Sequence, residues 1–355
     1  MKILKKIKIN NIELNNRICV SPMCQYSAIN GNPSLWHYDH LSKLMHSGAG
    51  LVMIESTAVS KSGMISKNDL TLRNQNNFNK FQNLLKFLKK KSIAKIGLQI
   101  SHAGRKGSSE IPWVKSNCPL KKKEGSWKTF SASSIKRDFH WPTPKKLSLK
   151  EIEKIKKDFI DCSVRASRLK LLDCLEIHMS HGYLLHQFFS PISNKRNDVY
   201  GGSLKNRCRL LIEIASSVRR VWSKEKILGA RVNGYDWLRK GSTISDCVYL
   251  VKNLKKIGFD YVCVSSGGIL PKTELKHKPG YQVFLANRIK KQAKIITRVS
   301  GMIKDIYHAE RIVKNNSADL IAIGRKFINS PNWLNKELIK RKKEVSIPNQ
   351  YKRCF

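Results

Sequence analysis

Residues 174–183 read Cys-Leu-Glu-Ile-His-Met-Ser-His-Gly-Tyr, so His178 and His181 stand three apart with Tyr183 two further on. Two imidazoles at this spacing can reach one metal ion. They can also donate hydrogen bonds to a single oxygen, which polarises a carbonyl and stabilises developing enolate charge. No third ligand of obvious spacing accompanies them, and the neighbouring tyrosine suits the carbonyl chemistry, so no metal is expected. A phenol with a reference pKa of about 10 is protonated at neutral pH and can serve as a proton donor.

Other polar residues gather at the ends of apolar runs. They are Ser21-Pro22-Met23-Cys24-Gln25-Tyr26-Ser27, the stretch from Gln99 through Ser101, His102, Gly104 and Arg105 to Lys106, Arg231, Ser265-Ser266-Gly267-Gly268, Ser300-Gly301 and Gly324-Arg325. Any one of these is ordinarily structural. Their convergence on one rim requires a fold that brings strand ends together. The last two runs suggest a phosphate pocket: Gly301 and Gly324 allow close backbone approach, and Arg325 supplies a fork of donors.

The elements that would position these residues alternate. Short β-branched runs at 17–23, 51–59, 95–102, 173–180, 227–233, 261–268, 294–301 and 318–325 read as strands. Amphipathic stretches at 36–47, 78–90, 148–169, 204–221, 243–257, 281–291, 305–315 and 332–342 read as helices. Runs such as LVMIESTAV and ADLIAIGR are apolar on both faces, which implies a parallel sheet buried on both sides. Eight strand–helix units predict one α/β domain, a (β/α)₈ TIM barrel over 1–355, with interior strand positions apolar and the site at the C-terminal strand ends. Residues 107–147 break the rhythm but carry Trp113, Trp127, Phe130, Phe139 and Trp141. Leaving the third strand at its C-terminal end, this insertion is expected to be a lid over the barrel mouth. Neither G-x-G-x-x-G after a strand nor a P-loop is present.

Composition bounds the function. The 355 residues are 41% hydrophobic, enough for a large core. With 68 basic and 25 acidic side chains, the formal charge is 68 − 25 = +43. The lysines are spread over nearly every helix, with short runs at 89–91, 121–123 and 340–343, which argues for a solvated surface rather than a nucleic-acid footprint. Such a field draws anionic small molecules to any cleft. No apolar run approaches the roughly 18–20 residues that cross a bilayer, and the charged N-terminus lacks signal-peptide features. Nine scattered cysteines without a C-x-x-C pair fit a reducing, cytoplasmic setting.

The segments SPMCQYS, LQISHAGRKG, EIHMSHGYLLHQFFSPISNKRNDVYGGS and ADLIAIGR resemble the Old Yellow Enzyme family of FMN-dependent NAD(P)H oxidoreductases, in particular its bacterial thermophilic-like class. The resemblance runs from about residue 7 to 355. It implies non-covalent FMN at the barrel mouth. Ser21, Pro22, Met23 and Cys24 would line the isoalloxazine, with Cys24 near N5. Ala58 and Gln99 would sit against the ring, Arg231 would face its N1 and O2, and Gly301, Gly324 and Arg325 would hold the phosphate. His178 and His181 would grip the carbonyl of an enone, Tyr26 would add a hydrogen bond, and Tyr183 would protonate the α-carbon. NADPH or NADH would be the reductant. The C-terminal segment 345–355 resembles one that reaches a neighbouring subunit, making Arg353 an arginine finger in trans and the enzyme a homodimer or homotetramer. Gln25 departs from the methionine of the typical member, and the basic insertion matches poorly. With no cysteine cluster, the iron–sulfur branch is set aside. The alternatives are a tRNA dihydrouridine synthase, also a flavin barrel, and a nucleic-acid-binding barrel without catalysis.

Overall fold

The computed structural model describes every residue but Ile93, Glu344, Ser346 and Phe355, and the backbone alone at Lys352 and Cys354. The chain begins with an antiparallel hairpin, β1 (Ile7–Ile9) and β2 (Ile12–Leu14). Strand–helix units follow: β3 (Ile18–Val20), α1 (Leu35–Met45), β4 (Leu51–Ala58), α2 (Gln75–Lys89) and β5 (Lys95–Ser101). The insertion carries a two-residue parallel pair, β6 (Phe130–Ser131) and β7 (Lys145–Lys146). Then come α3 (Leu149–Arg168), β8 (Cys174–Met179), the short α4 (Leu184–Phe189), α5 (Leu204–Val221) and β9 (Ile227–Asn233). The chain continues through α6 (Ile244–Ile257), β10 (Tyr261–Ser265), α7 (Val283–Ala293), β11 (Ile296–Val299), α8 (Ile306–Lys314), β12 (Leu320–Ile323), α9 (Arg325–Asn329) and α10 (Trp333–Ile339). Strands β3, β4, β5 and β8 to β12 form a closed parallel barrel, sealed where Ile321 of β12 pairs with Ile18 of β3. The expected (β/α)₈ architecture is therefore present.

Local chemistry sets the element ends. The Ser148 hydroxyl accepts from the Glu151 amide while the Glu151 carboxylate accepts from the Ser148 amide, a capping box that starts α3. Thr243 and Asp246 start α6 in the same way, and Gly258, at φ 98°, ends it in the left-handed region. Residues 261–268 were expected as one strand, but β10 stops at Ser265, because Gly267 and Gly268 turn out at φ 72° and 83°.

Strand alternation divides the apolar residues in two. One cluster lies between barrel and helices. The other fills the lumen with Cys19, Leu51, Met53, Cys174, Ile227, Tyr261, Cys263 and Leu320, and is joined by Ile9 and Leu14 of the hairpin at its N-terminal end. The expectation of an apolar interior fails one layer higher. Glu176 and Arg298 are both fully buried and paired with each other. The Tyr261 hydroxyl donates to Glu176 Oε2 at 2.7 Å, and Gln99 Nε2 donates to Oε1 at 2.8 Å. Each carboxylate oxygen has its own donors, so no buried acceptor of Glu176 is left unpaired.

The insertion is tied down by guanidinium groups more than by aromatics. Trp141 is buried, but Trp113 and Phe139 are exposed. Arg196 Nη1 donates to the carbonyls of Ala132 at 2.9 Å and Leu147 at 2.7 Å, near either end of the β6–β7 excursion. Arg105 Nη1 donates to the carbonyls of Ile135 and Lys136 at 3.0 and 3.2 Å.

Candidate active site

Cys174, Glu176 and His178 follow one another along the lumen face of β8, so the same alternation that buries Cys174 brings His178 to the mouth. His178 pairs in register with Arg231 of β9. Beyond β8, His181 and Gly182 take left-handed conformations at φ 57° and 72°. A side chain at Gly182 would place its Cβ 2.1 Å from the carbonyl oxygen of Gly268, so only glycine fits. A buried strut holds the turn. The Gly182 amide donates to His186 Nδ1 at 2.8 Å, and His186 Nε2 donates to Asp236 Oδ1 at 2.8 Å. Non-glycine residues in this backbone region cost free energy and collect where function needs them.

That turn faces His178 Nε2 toward His181 Nδ1 at 3.2 Å. The Ser180 amide donates to His178 Nδ1 at 3.2 Å, which places the His178 proton on Nε2. His181 Nε2 meets the Ser265 hydroxyl at 2.6 Å. Burial, and then the Arg231 charge, holds both imidazoles well below their usual pKa, so both are neutral. The Tyr183 ring stands edge-on to His178 with centroids 4.8 Å apart. Burial keeps its phenol protonated, with smaller contributions from Cys24 and Tyr26 across the site.

The loop after β3 supplies the opposite wall. The Gln25 amide donates to Glu55 Oε2 at 2.7 Å, and Glu55 Oε1 is held by His37 Nε2 at 3.1 Å. Cys24 is kept a thiol by burial and then by the Glu55 charge. Tyr26 bonds to Cys24 and packs edge-on against Trp113, 6.0 Å away, so the insertion meets the site there.

Ser21, Pro22, Met23, His181, Arg231, Gly301, Gly324 and Arg325 line one cavity of about 340 Å³. Among the described residues, Arg231, Arg325 and Lys326 are its cations, and no carboxylate lines it. Arg231 Nε and Gln282 Oε1 are buried without partners. Cationic walls and orphaned polar atoms fit a phosphorylated, heteroatom-rich group such as FMN. Gln99 and Ala58 lie buried in the adjoining strands β5 and β4. Arg353 is exposed in the C-terminal turn Asn349–Cys354 and is not among the residues lining this cavity. Two residues of the expected 345–355 segment, Ser346 and Phe355, lie outside the described residues. Sequence reasoning placed Lys106 at the rim but not its contact with Tyr183, and it missed Glu176 beneath Gln99, the Asp236–His186 strut, and Arg137, whose charge also reaches Tyr183. A carboxylate midway along a buried strand was the available signal for Glu176; the others had none.

A closed barrel with paired neutral imidazoles, a protonated tyrosine and a cationic cavity at its C-terminal mouth defines a flavin-dependent oxidoreductase of the barrel type. The chain belongs to the NADH:flavin oxidoreductase / NADH oxidase family, whose model matches residues 2–344. It is 36% identical over 360 residues to the NADPH dehydrogenase of Clostridium acetobutylicum, covering 100% of both chains. It is 35% identical over 354 residues to the NADPH dehydrogenase of Bacillus subtilis, covering 99% of this chain and 98% of that one. Among solved structures it resembles morphinone reductase in complex with tetrahydroNAD, with a TM-score of 0.78, 20% identity, and coverage of 98% and 93%. It also resembles a 2-naphthoyl-CoA reductase, with a TM-score of 0.86 and 21% identity, spanning 96% of this chain but only 52% of that one. These two likenesses speak for the barrel alone. The Old Yellow Enzyme resemblance and the expected cofactors, FMN with NADPH or NADH, stand with the family. Among the described residues, no helix is long and apolar enough to cross a membrane.

Proposed function

We propose that the chain is an ene-reductase, reducing the activated carbon–carbon double bond of α,β-unsaturated carbonyl compounds. The observation that carries this reading is the pair of facing nitrogens, His178 Nε2 and His181 Nδ1, beside a protonated Tyr183. Bound FMN would supply the hydride chemistry that links NAD(P)H to the β-carbon of the substrate. Ser21, Pro22, Met23, Cys24, Ala58 and Gln99 would hold its ring, Arg231 its electron-rich edge, and Gly301, Gly324 and Arg325 its phosphate. Gln99, with its amide nitrogen committed to Glu176, keeps its oxygen as an acceptor for that ring.

The clamp works through its tautomers. His178 already carries its proton on Nε2, and His181 accepts it at Nδ1. For both to donate to a substrate oxygen, His181 must hold its own proton on Nδ1. The Ser265 hydroxyl at Nε2 can donate as readily as accept, so it supports that tautomer. As negative charge grows on the oxygen, two neutral donors stabilise it without a charge of their own to desolvate. Tyr183 then gives its proton to the α-carbon, and Tyr26 adds a hydrogen bond to the substrate. Arg353 of a second copy would close the site in a homo-oligomer, and the insertion 107–147 would cover it. The tRNA dihydrouridine synthase alternative yields to the family match.

Replacing His178 and His181 together by alanine should lower kcat/KM for cyclohexenone by about 10²–10³-fold, the loss seen when such donors are removed. Reoxidation of the pre-reduced holoenzyme by the enone, followed anaerobically, is the direct measure. Undiminished reoxidation in the double variant would end the carbonyl-clamp reading.

A further inference from the structure

Three cations crowd the flank of the site where the insertion meets the turn after β8. Arg105 and Lys106 follow β5, and Arg137 comes from the insertion. Lys106 Nζ donates to the His181 carbonyl at 2.8 Å and lies 5.0 Å from the centre of the Tyr183 ring. Arg105 spends Nη1 on the carbonyls of Ile135 and Lys136, which fixes the residue that follows them. That residue, Arg137, lays its guanidinium over Trp141 at 4.6 Å, and its Nε is buried without a partner. Its charge is felt at both Lys106 and Tyr183.

Among the described residues, none of these three cations forms an ion pair. The carboxylate whose charge acts on Arg137 is its neighbour Asp138, which accepts from the Phe139 amide at 2.8 Å; across the site Glu55 is committed to Gln25 and His37, and Asp69 to Ile65 and Ser66. Burial, followed by the Arg137 and Arg105 charges, pushes the Lys106 ammonium down to about 7. Like charges gathered in a half-buried place cost free energy, which a ligand bringing negative charge would offset.

We propose that Lys106 and Arg137 form an anion subsite beside the carbonyl clamp, so that the preferred substrate is an enone whose far end carries a carboxylate or a phosphate. This rests on the ene-reductase reading and narrows it. The subsite belongs to one chain and so differs from any contribution of Arg353 from a second copy. It also gives the basic insertion a chemical task, since the insertion delivers Arg137.

The test uses FMN-loaded enzyme with NADPH and three acceptors: 6-oxohept-4-enoate, whose carboxylate is insulated from the double bond by two methylenes, its methyl ester, and an enone bearing a phosphate monoester. Acid and ester share one reacting unit and differ in charge. The wild type should favour at least one anionic acceptor over the ester by about tenfold or more in kcat/KM, the discrimination one charge-assisted contact supports. Whichever anion leads identifies the group recognised. Lys106→Met and Arg137→Met should each shrink that preference, and Arg137→Lys should restore part of it. Binding of the saturated ketoacid 6-oxoheptanoate, read from the flavin absorbance, should weaken about tenfold in Arg137→Met by the same reasoning. Equal kcat/KM for ester and both anions in the wild type would overturn the subsite while leaving the ene-reductase reading intact. Equal losses on ester and anions in both methionine variants would also overturn it, and would assign these cations to positioning Tyr183. Failure of the wild type to reduce any of the three would remove the reading on which the proposal rests.

Discussion

His102, His178 and His181 are all held uncharged by burial, and for His102 the pKa falls to about 3. Their folded pKa values lie below the unfolded value of about 6.5, so the unfolded chain binds more protons once the pH falls under that value. Stability is then fully present above about pH 6.5 and is lost as the pH drops toward 3. Melting temperatures measured from pH 7 to pH 4 should fall steadily. His102→Gln should flatten that fall, because the remaining drop would come from the other buried groups. Because Asp69, raised to about 7 by burial, works in the opposite sense over this range, the decisive comparison is between proteins: identical pH profiles for the wild type and His102→Gln would contradict the neutral assignment of His102. The same neutrality serves the proposed chemistry, because an imidazole that resists protonation donates one hydrogen bond from one known nitrogen.

The turn joining β8 to α4 decides where three of the candidate residues point. Gly182→Ala must move against the Gly268 carbonyl and enter a backbone region that alanine avoids, at a cost of at least about 2 kcal/mol. Displacing His181 and Tyr183 by even about 1 Å should lower kcat/KM with enones by about 10²-fold. Thermal melts and steady-state kinetics on the one variant check both effects. How far elements can be read from sequence is instructive here. The barrel strands announce themselves, since Leu51–Ala58 and Leu320–Ile323 are buried on both faces and open on continuous apolar runs. Helix α4 does not: all six of its residues are buried, so it has no polar face and no helical period to detect. Residues at the strand ends could be placed at the mouth, because the barrel orders them whatever the loops do. The partners of those residues could not. Glu176 and Arg298 meet across 122 positions of sequence, and Arg137 is one basic residue in an insertion full of them.

A formal charge of +43 gives the whole molecule a field that favours anions, yet that field is diffuse and screened beyond about 8 Å at physiological salt. Discrimination among small anions therefore depends on the few cations inside the mouth. The other end of the barrel matters as much. Ile9 and Leu14 of the hairpin close the lumen from below, and the Glu176–Arg298 layer fills it above them. Among the described residues, this packing leaves the cavity to be reached from the mouth. The electron donor and the electron acceptor are therefore expected to share one berth and to take turns, each departing before the other arrives. Initial-rate plots at several fixed donor concentrations should give parallel lines, and excess donor should inhibit by occupying the place its successor needs. Lines that intersect would mean that both can be accommodated at once, through a second passage that the packed lumen does not offer.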